Sequence, residues 1–259
     1  MAKKKSKNPA YIAFDSDLLG NIAIVHDKEQ NGIKFETGSF KNAYLKTYGA
    51  GFKLIYDKIK SGEIIPVVVN TVYNESKVIP KIAKFMKECC YFPNYTMANK
   101  DEKAEEISEL ATAYTKPYKF KGVEYLAPMK QVYSSHCGCM VPTNDTYAVA
   151  EASYENINFV TLNEKDITKT GEDLSYRDKH RENVSKGQKD NYHEFNTRSI
   201  GVVTINRDMG YYSPEDADKK YSIPCPIGFT KFIETLESGS LQPLTPRDEF
   251  IRGKDVMEI

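Results

Sequence analysis

The sequence predicts an α/β fold with a central, mostly parallel sheet. Short apolar runs that suit buried strands alternate along the chain with longer segments of helical periodicity. One of these runs, IIPVVV at 64–69, is continuous and rich in β-branched residues, as in a strand that is covered on both faces. We therefore expect a three-layer α/β/α sandwich that carries insertions.

The first predicted elements are a strand and two helices. The strand is AYIAF at 10–14, and the helix after it can be capped by Ser16 or Asp17. A second helix of clear apolar periodicity stops at Ser61 and Gly62, a pair that is typical of a helix C-terminus. The run IIPVVV then follows as the second strand.

The next helix begins after IIPVVV, where Asn70 or Thr71 can cap it and Pro80 kinks or splits it. Residues 117–140 lack periodicity. The other predicted elements are an amphipathic helix at 98–116, a helix and strand across 145–162, a strand candidate at 199–206 and a helix near 229–236.

The length of 259 residues suits a single large domain. We expect a basic arm at 1–9, one domain at 10–240 with insertions at about 95–140 and 168–222, and a tail at 241–259. The 36 basic and 36 acidic residues cancel, so any binding to nucleic acid must come from a local patch. No apolar run reaches the roughly 18 residues of a membrane span, and the start lacks a secretory signal.

The cysteine content favours a reducing compartment, and we expect a cytoplasmic protein. The number of cysteines is odd, which argues against a disulfide scaffold. HCGC at 136–139 offers a zinc-like cluster, but Cys-x-Cys is a poor spacing for a structural site and no second well-spaced pair occurs. We predict that this stretch binds no zinc.

Four acidic residues occur where strands of the predicted sheet end or helices begin. Asp15 directly follows the first strand, and Glu75 is expected in the first turn of the helix after IIPVVV. Asp145 opens the helix before the third strand, and Asp166 follows that strand. Each acid alone could be a helix cap, a first-turn charge or a turn residue. Together, at the carboxyl edge of a parallel sheet, they predict a Mg²⁺ or Mn²⁺ site.

Three segments resemble motifs of the PIN domain family of metal-dependent ribonucleases: YIAFDSDLL, LIYDKIKSGEIIPVVVNTVYNES and MVPTNDTYAVAEASYENINFVTLNEKDI. The resemblance covers about 10–167 with gaps. It implies a PIN-like sandwich in which Mg²⁺ or Mn²⁺ is bound by the four acids, with two supporting polar groups. These residues are Asp15, Glu75, Asp145 and Asp166, supported by Ser16 and Asn163.

A polar stretch, YRDKHRENVSKGQKDNYH, follows the last motif and carries several cations. Phosphate contacts from them could give sequence-independent affinity for RNA. Acidic residues are interspersed, so an ordinary solvated arm is the alternative. The candidate phosphate-binding residues are Arg177, Lys179, Arg181, Lys186 and Lys189.

We therefore expect a metal-dependent endoribonuclease in which a metal-activated water attacks the phosphodiester. One alternative is a PIN-like nucleic-acid-binding or scaffold protein without catalysis. Another is a structure-specific DNA nuclease. RNA is the expected partner, no membrane is expected, and the resemblance leaves open an antitoxin or regulatory protein and a homodimer.

Overall fold

The structure is a computed structural model, and it describes most of the chain outside the segment 164–226. The described ranges are 8–35, 43–94, 100–115, 118–120, 123–125, 131–163, 227–241 and 243–257. Several predicted features lie outside these ranges: Asp166, Arg177, Lys179, Arg181, Lys186, Lys189 and the strand candidate at 199–206.

The described residues form ten strands and eight helices, numbered here in chain order. The strands are β1 (Ala10–Phe14), β2 (Ile64–Val67), β3 (Tyr91–Pro93), β4 (Tyr118–Phe120), β5 (Val123–Tyr125), β6 (Gln131–Ser134), β7 (Cys139–Pro142), β8 (Asn158–Thr161), β9 (Ile227–Gly228) and β10 (Phe250–Arg252). The helices are α1 (Ser16–Gln30), α2 (Ala43–Lys60), α3 (Asn70–Ser76), α4 (Pro80–Cys89), α5 (Lys100–Tyr114), α6 (Asn144–Tyr154), α7 (Phe229–Ser238) and α8 (Gly253–Val256).

Six strands form one sheet in the spatial order β10-β3-β2-β1-β8-β9. Every pairing in this sheet is parallel except that of β10 with β3. The prediction of an α/β fold with a mostly parallel sheet is therefore confirmed. The hairpins β4–β5 and β6–β7 are separate from the sheet and lie inside the predicted insertion at about 95–140.

The strand order reverses direction beside β1. Strands β2 and β3 follow β1 on one side of it, whereas the later strands β8 and β9 lie on the other side of β1. In open parallel sheets, ligands bind in the crevice at the carboxyl ends of the two strands that flank such a reversal. Here those strands are β1 and β8, which end at Phe14 and Thr161.

The core is built by apolar strands between helices that present their apolar faces to them. Ile12, Phe14 and Phe159 on neighbouring strands are buried, as is Leu18 on α1. Helix α1 packs against α2 and α4, whereas α5 packs against α6. Within the described residues, no helix has both the length and the apolar character required to span a lipid bilayer.

Two predicted helix caps are wrong, and one predicted break is confirmed. The side chain that caps α1 is Asp15, which accepts a hydrogen bond from the Leu18 N–H at 2.7 Å, rather than Ser16 or Asp17. Helix α3 has Val69 at its N-cap, with no side-chain capping bond, rather than Asn70 or Thr71. Pro80 splits the predicted helix because it begins the new helix α4, where its missing N–H costs no hydrogen bond.

The residues predicted as a tail at 241–259 contribute β10 and α8 to the fold. Strand β10 pairs with β3, and the Gly253 N–H donates to the Cys90 carbonyl at 2.8 Å. The buried Lys103 forms an ion pair with Asp248. Strands of three residues show no periodicity in sequence, so only pairing with distant partners defines β3 and β10.

Candidate functional site

Asp15 lies at the point where the sheet order reverses. One carboxylate oxygen caps α1, and the other accepts hydrogen bonds from the Thr161 hydroxyl and from the Leu162 N–H at 2.7 Å. The Asp15 N–H donates to the Val160 carbonyl at 3.0 Å. Burial raises the pKa of the carboxyl group, and these hydrogen bonds oppose that rise. Asp15 therefore joins β1, β8 and α1 in one polar junction.

Glu75 lies near the end of α3, and the prediction that it occupies the first turn of that helix is wrong. Its side chain is exposed at the carboxyl edge of the sheet. The Ser16 hydroxyl donates to one carboxylate oxygen, and the Asn144 amide donates to the other at 2.9 Å. Glu75 thus connects the first residue of α1 with the first residue of α6.

Asp145 lies in the first turn of α6 rather than at its cap. Thr143 is the N-cap, and its hydroxyl accepts a hydrogen bond from the Thr146 N–H at 3.2 Å. The Asp145 side chain is half-buried, and its neighbour in sequence, Asn144, contacts Glu75. The capping explanation therefore holds for Asp15 but not for Asp145. The negative charge of Asp145 instead stabilises α6 by its interaction with the positive end of the helix dipole.

Glu151 is a fifth acid that the sequence reasoning did not identify. It is 5% exposed, and its carboxylate accepts hydrogen bonds from the Thr71 N–H at 2.9 Å and the Thr71 hydroxyl at 3.0 Å. Burial raises its pKa to about 7, and the negative charge of Glu75 adds to the rise. An acid flanked by alanines on the buried side of a helix was the available signal.

A cavity of about 310 Å³ opens beside Glu151, between α3, α5 and α6. Its size is at the lower limit of small-molecule sites in proteins. An aromatic ring, two amide or hydroxyl groups, an ammonium and a carboxylate share the lining with apolar side chains. The lining residues are Asn70, Thr71, Lys100, Ala104, Ile107, Tyr147 and Glu151.

In the part of the chain that the structure describes, the predicted acids do not form a complete set of ligands for a metal ion. No group of three or more His, Cys, Asp or Glu side chains is placed there so that it could hold an ion. Asp166 lies outside the described residues, and the Asn163 N–H donates to the Thr161 hydroxyl at 2.8 Å. The donors at this edge are carboxylate and amide oxygens, which suit Mg²⁺ or Mn²⁺ rather than a soft metal.

No family model, curated protein or solved structure matches the chain.

Proposed function

We propose that the chain is a PIN-like, three-layer α/β/α protein that cleaves RNA phosphodiester bonds with Mg²⁺ or Mn²⁺. The observation that carries the proposal is the pair of hydrogen bonds to Glu75, from Ser16 and from Asn144. These hydrogen bonds hold the first residues of α1 and α6 against the end of α3, next to the point where the strand order of the sheet reverses. Three regions distant in sequence, each of which carries one of the predicted acids, thereby meet beside Glu75.

The acids would hold the ion, and their neighbours would fix the acids. An ion bound there would lower the pKa of a coordinated water and would place a positive charge beside the leaving oxygen. Ser16 and Asn144 orient the Glu75 carboxylate, and Thr161 orients that of Asp15. The residues that would bind the ion are Asp15, Glu75, Asp145 and, outside the described residues, Asp166.

A second candidate is a nucleic-acid-binding protein without catalysis. The three hydrogen bonds that the Asp15 carboxylate accepts favour it, because they occupy most of the acceptor sites of this carboxylate. In this case the acids would keep the loops together, and no cleavage would depend on them.

Cleavage assays on three substrates separate these functions. The purified protein is incubated with single-stranded RNA, single-stranded DNA and flapped DNA, in Mg²⁺, in Mn²⁺ or in a chelator. We expect RNA cleavage that requires the ion and that falls on the order of a hundredfold or more in Glu75→Gln and Asp145→Asn. Glu237→Gln is the control, since Glu237 is exposed on α7. The last turn of α7 lies beside the amino ends of the strands, which is the edge of the sheet opposite to the candidate site.

Each other outcome selects another function. Ion-dependent cleavage of flapped DNA alone identifies a structure-specific DNA nuclease. RNA binding without cleavage in any ion identifies the non-catalytic protein. RNA cleavage that the Glu75→Gln and Asp145→Asn variants retain at the parent rate refutes the assignment of these acids.

A further inference from the structure

The hairpin β6–β7 ends in a tight turn that carries two cysteines. The strands pair from Gln131 with Pro142 to Ser134 with Cys139. The Gly138 N–H donates to the Ser134 carbonyl at 2.9 Å, and Gly138 has φ of +66°, a conformation that glycine adopts without strain. Cys137 therefore lies within the turn, and Cys139 begins β7.

The turn brings the two thiols together on the surface. The Sγ atoms of Cys137 and Cys139 contact each other, and both side chains are exposed. Access to solvent and closeness of a second thiol are the two geometric conditions for disulfide exchange. The turn meets both conditions.

The two thiols differ in acidity, which gives them different roles. The hydrogen bond between them lowers the pKa of Cys137 and raises that of Cys139. Cys137 is therefore the thiol that ionises first, and the thiolate is the attacking species in exchange. Burial instead raises the pKa of Cys89 to about 11 and that of Cys90 well above its ordinary value.

We propose that Cys137 and Cys139 form a reversible dithiol–disulfide couple that exchanges with low-molecular-weight disulfides. The Cys137 thiolate attacks one sulfur of the small disulfide, whose S–S bond breaks, and the first small thiolate leaves and takes up a proton. Cys139 then loses its proton and attacks Sγ of Cys137, which expels the second small thiol. The protein loses two protons and two electrons, and the small disulfide gains them and is reduced to two thiols.

The couple lies on the segment that leads into the candidate site. Strand β7 begins at Cys139 and ends at Pro142, and Thr143 then leads into α6, whose first residues are Asn144 and Asp145. The proposal rests on the hairpin alone and does not require the proposed nuclease activity.

Oxidised glutathione tests the proposal on the full-length protein. After acid quenching, peptide mapping by mass spectrometry reads the state of each cysteine. We expect the parent protein to lose two hydrogen atoms from the peptide that contains Cys137 and Cys139 and to retain no glutathione on it. Cys139→Ser should accumulate a glutathione adduct on Cys137, because no second thiol resolves it. Cys137→Ser should react more slowly, since Cys139 lacks the backbone hydrogen bonds that also lower the pKa of Cys137.

Cys89 and Cys90 provide an internal control, because they are adjacent in sequence but Cys90 is buried and Cys89 is half-buried, and they should remain reduced under the same conditions. Three results would overturn the proposal. One is a stable glutathione adduct on the parent hairpin. Another is equal adduct formation in the two serine variants. The third is stoichiometric zinc on the hairpin that protects both thiols from exchange.

Discussion

Replacing Glu151 with glutamine tests whether a buried acid at the candidate site destabilises the fold as it ionises. The amide can keep both contacts with Thr71, since its oxygen can accept from the Thr71 N–H and its nitrogen can donate to the hydroxyl. The substitution therefore removes the ionisable group while it preserves size and hydrogen bonding. Any change in the free energy of unfolding should then depend on pH.

The magnitude follows from the pKa of Glu151, which burial raises from 4.5 to about 7. Because one pKa unit corresponds to about 1.4 kcal/mol, ionisation of Glu151 disfavours the folded state by roughly 3 kcal/mol. The sign follows from proton binding. As pH rises from about 4.5, the unfolded chain releases this proton first, so stability falls until the pH passes about 7. Below this window Glu151 contributes no pH dependence, and above it the whole effect is present.

Urea denaturation measures the effect at the two ends of the window. At about pH 4.5, Glu151→Gln should match the parent protein, and at about pH 9 the variant should be more stable by roughly 3 kcal/mol. Glu237→Gln, at an exposed position, should follow the parent at both pH values. Equal destabilisation of Glu151→Gln at both pH values would refute the reasoning, because it would mean that Thr71 holds an ionised carboxylate favourably.

Three further predictions concern the metal, the fold and the hairpin. In chelator, the free energy of unfolding of Asp145→Asn should lie within about 1 kcal/mol of that of the parent. At a hundredfold excess of Mg²⁺ over Kd, the ion should stabilise the parent by about 2.7 kcal/mol, and calorimetry should show that Asp145→Asn loses this stabilisation. Gly253→Ala should destabilise the fold by about 3 kcal/mol in urea, since a methyl group there would overlap the Met86 carbonyl, whereas Gly20→Ala meets only one flexible side chain. Purified protein should contain no stoichiometric zinc that Cys137→Ser removes, as metal analysis can check.

The sequence predicted those features that depend on local pattern. Apolar runs and helical periodicity located β1, β2, β8 and most helices because burial of one face imposes a period on the chain itself. Pro80 marked a helix break because its ring fixes the backbone wherever it occurs. Asp15 could be recognised as a candidate site residue because it directly follows a strand, and ligands bind at the carboxyl ends of parallel strands.

Tertiary structure decided what depends on partners distant in the chain. Strand β10 exists because it pairs with β3. The Glu75 side chain is positioned by hydrogen bonds from Ser16 and Asn144, which are both far from it in sequence. Glu151 became part of the candidate site only because the folding of α3 against α6 buried it beside Thr71. Charge and hydrogen-bond partners depend on distances in space, and a single sequence records only distances along the chain.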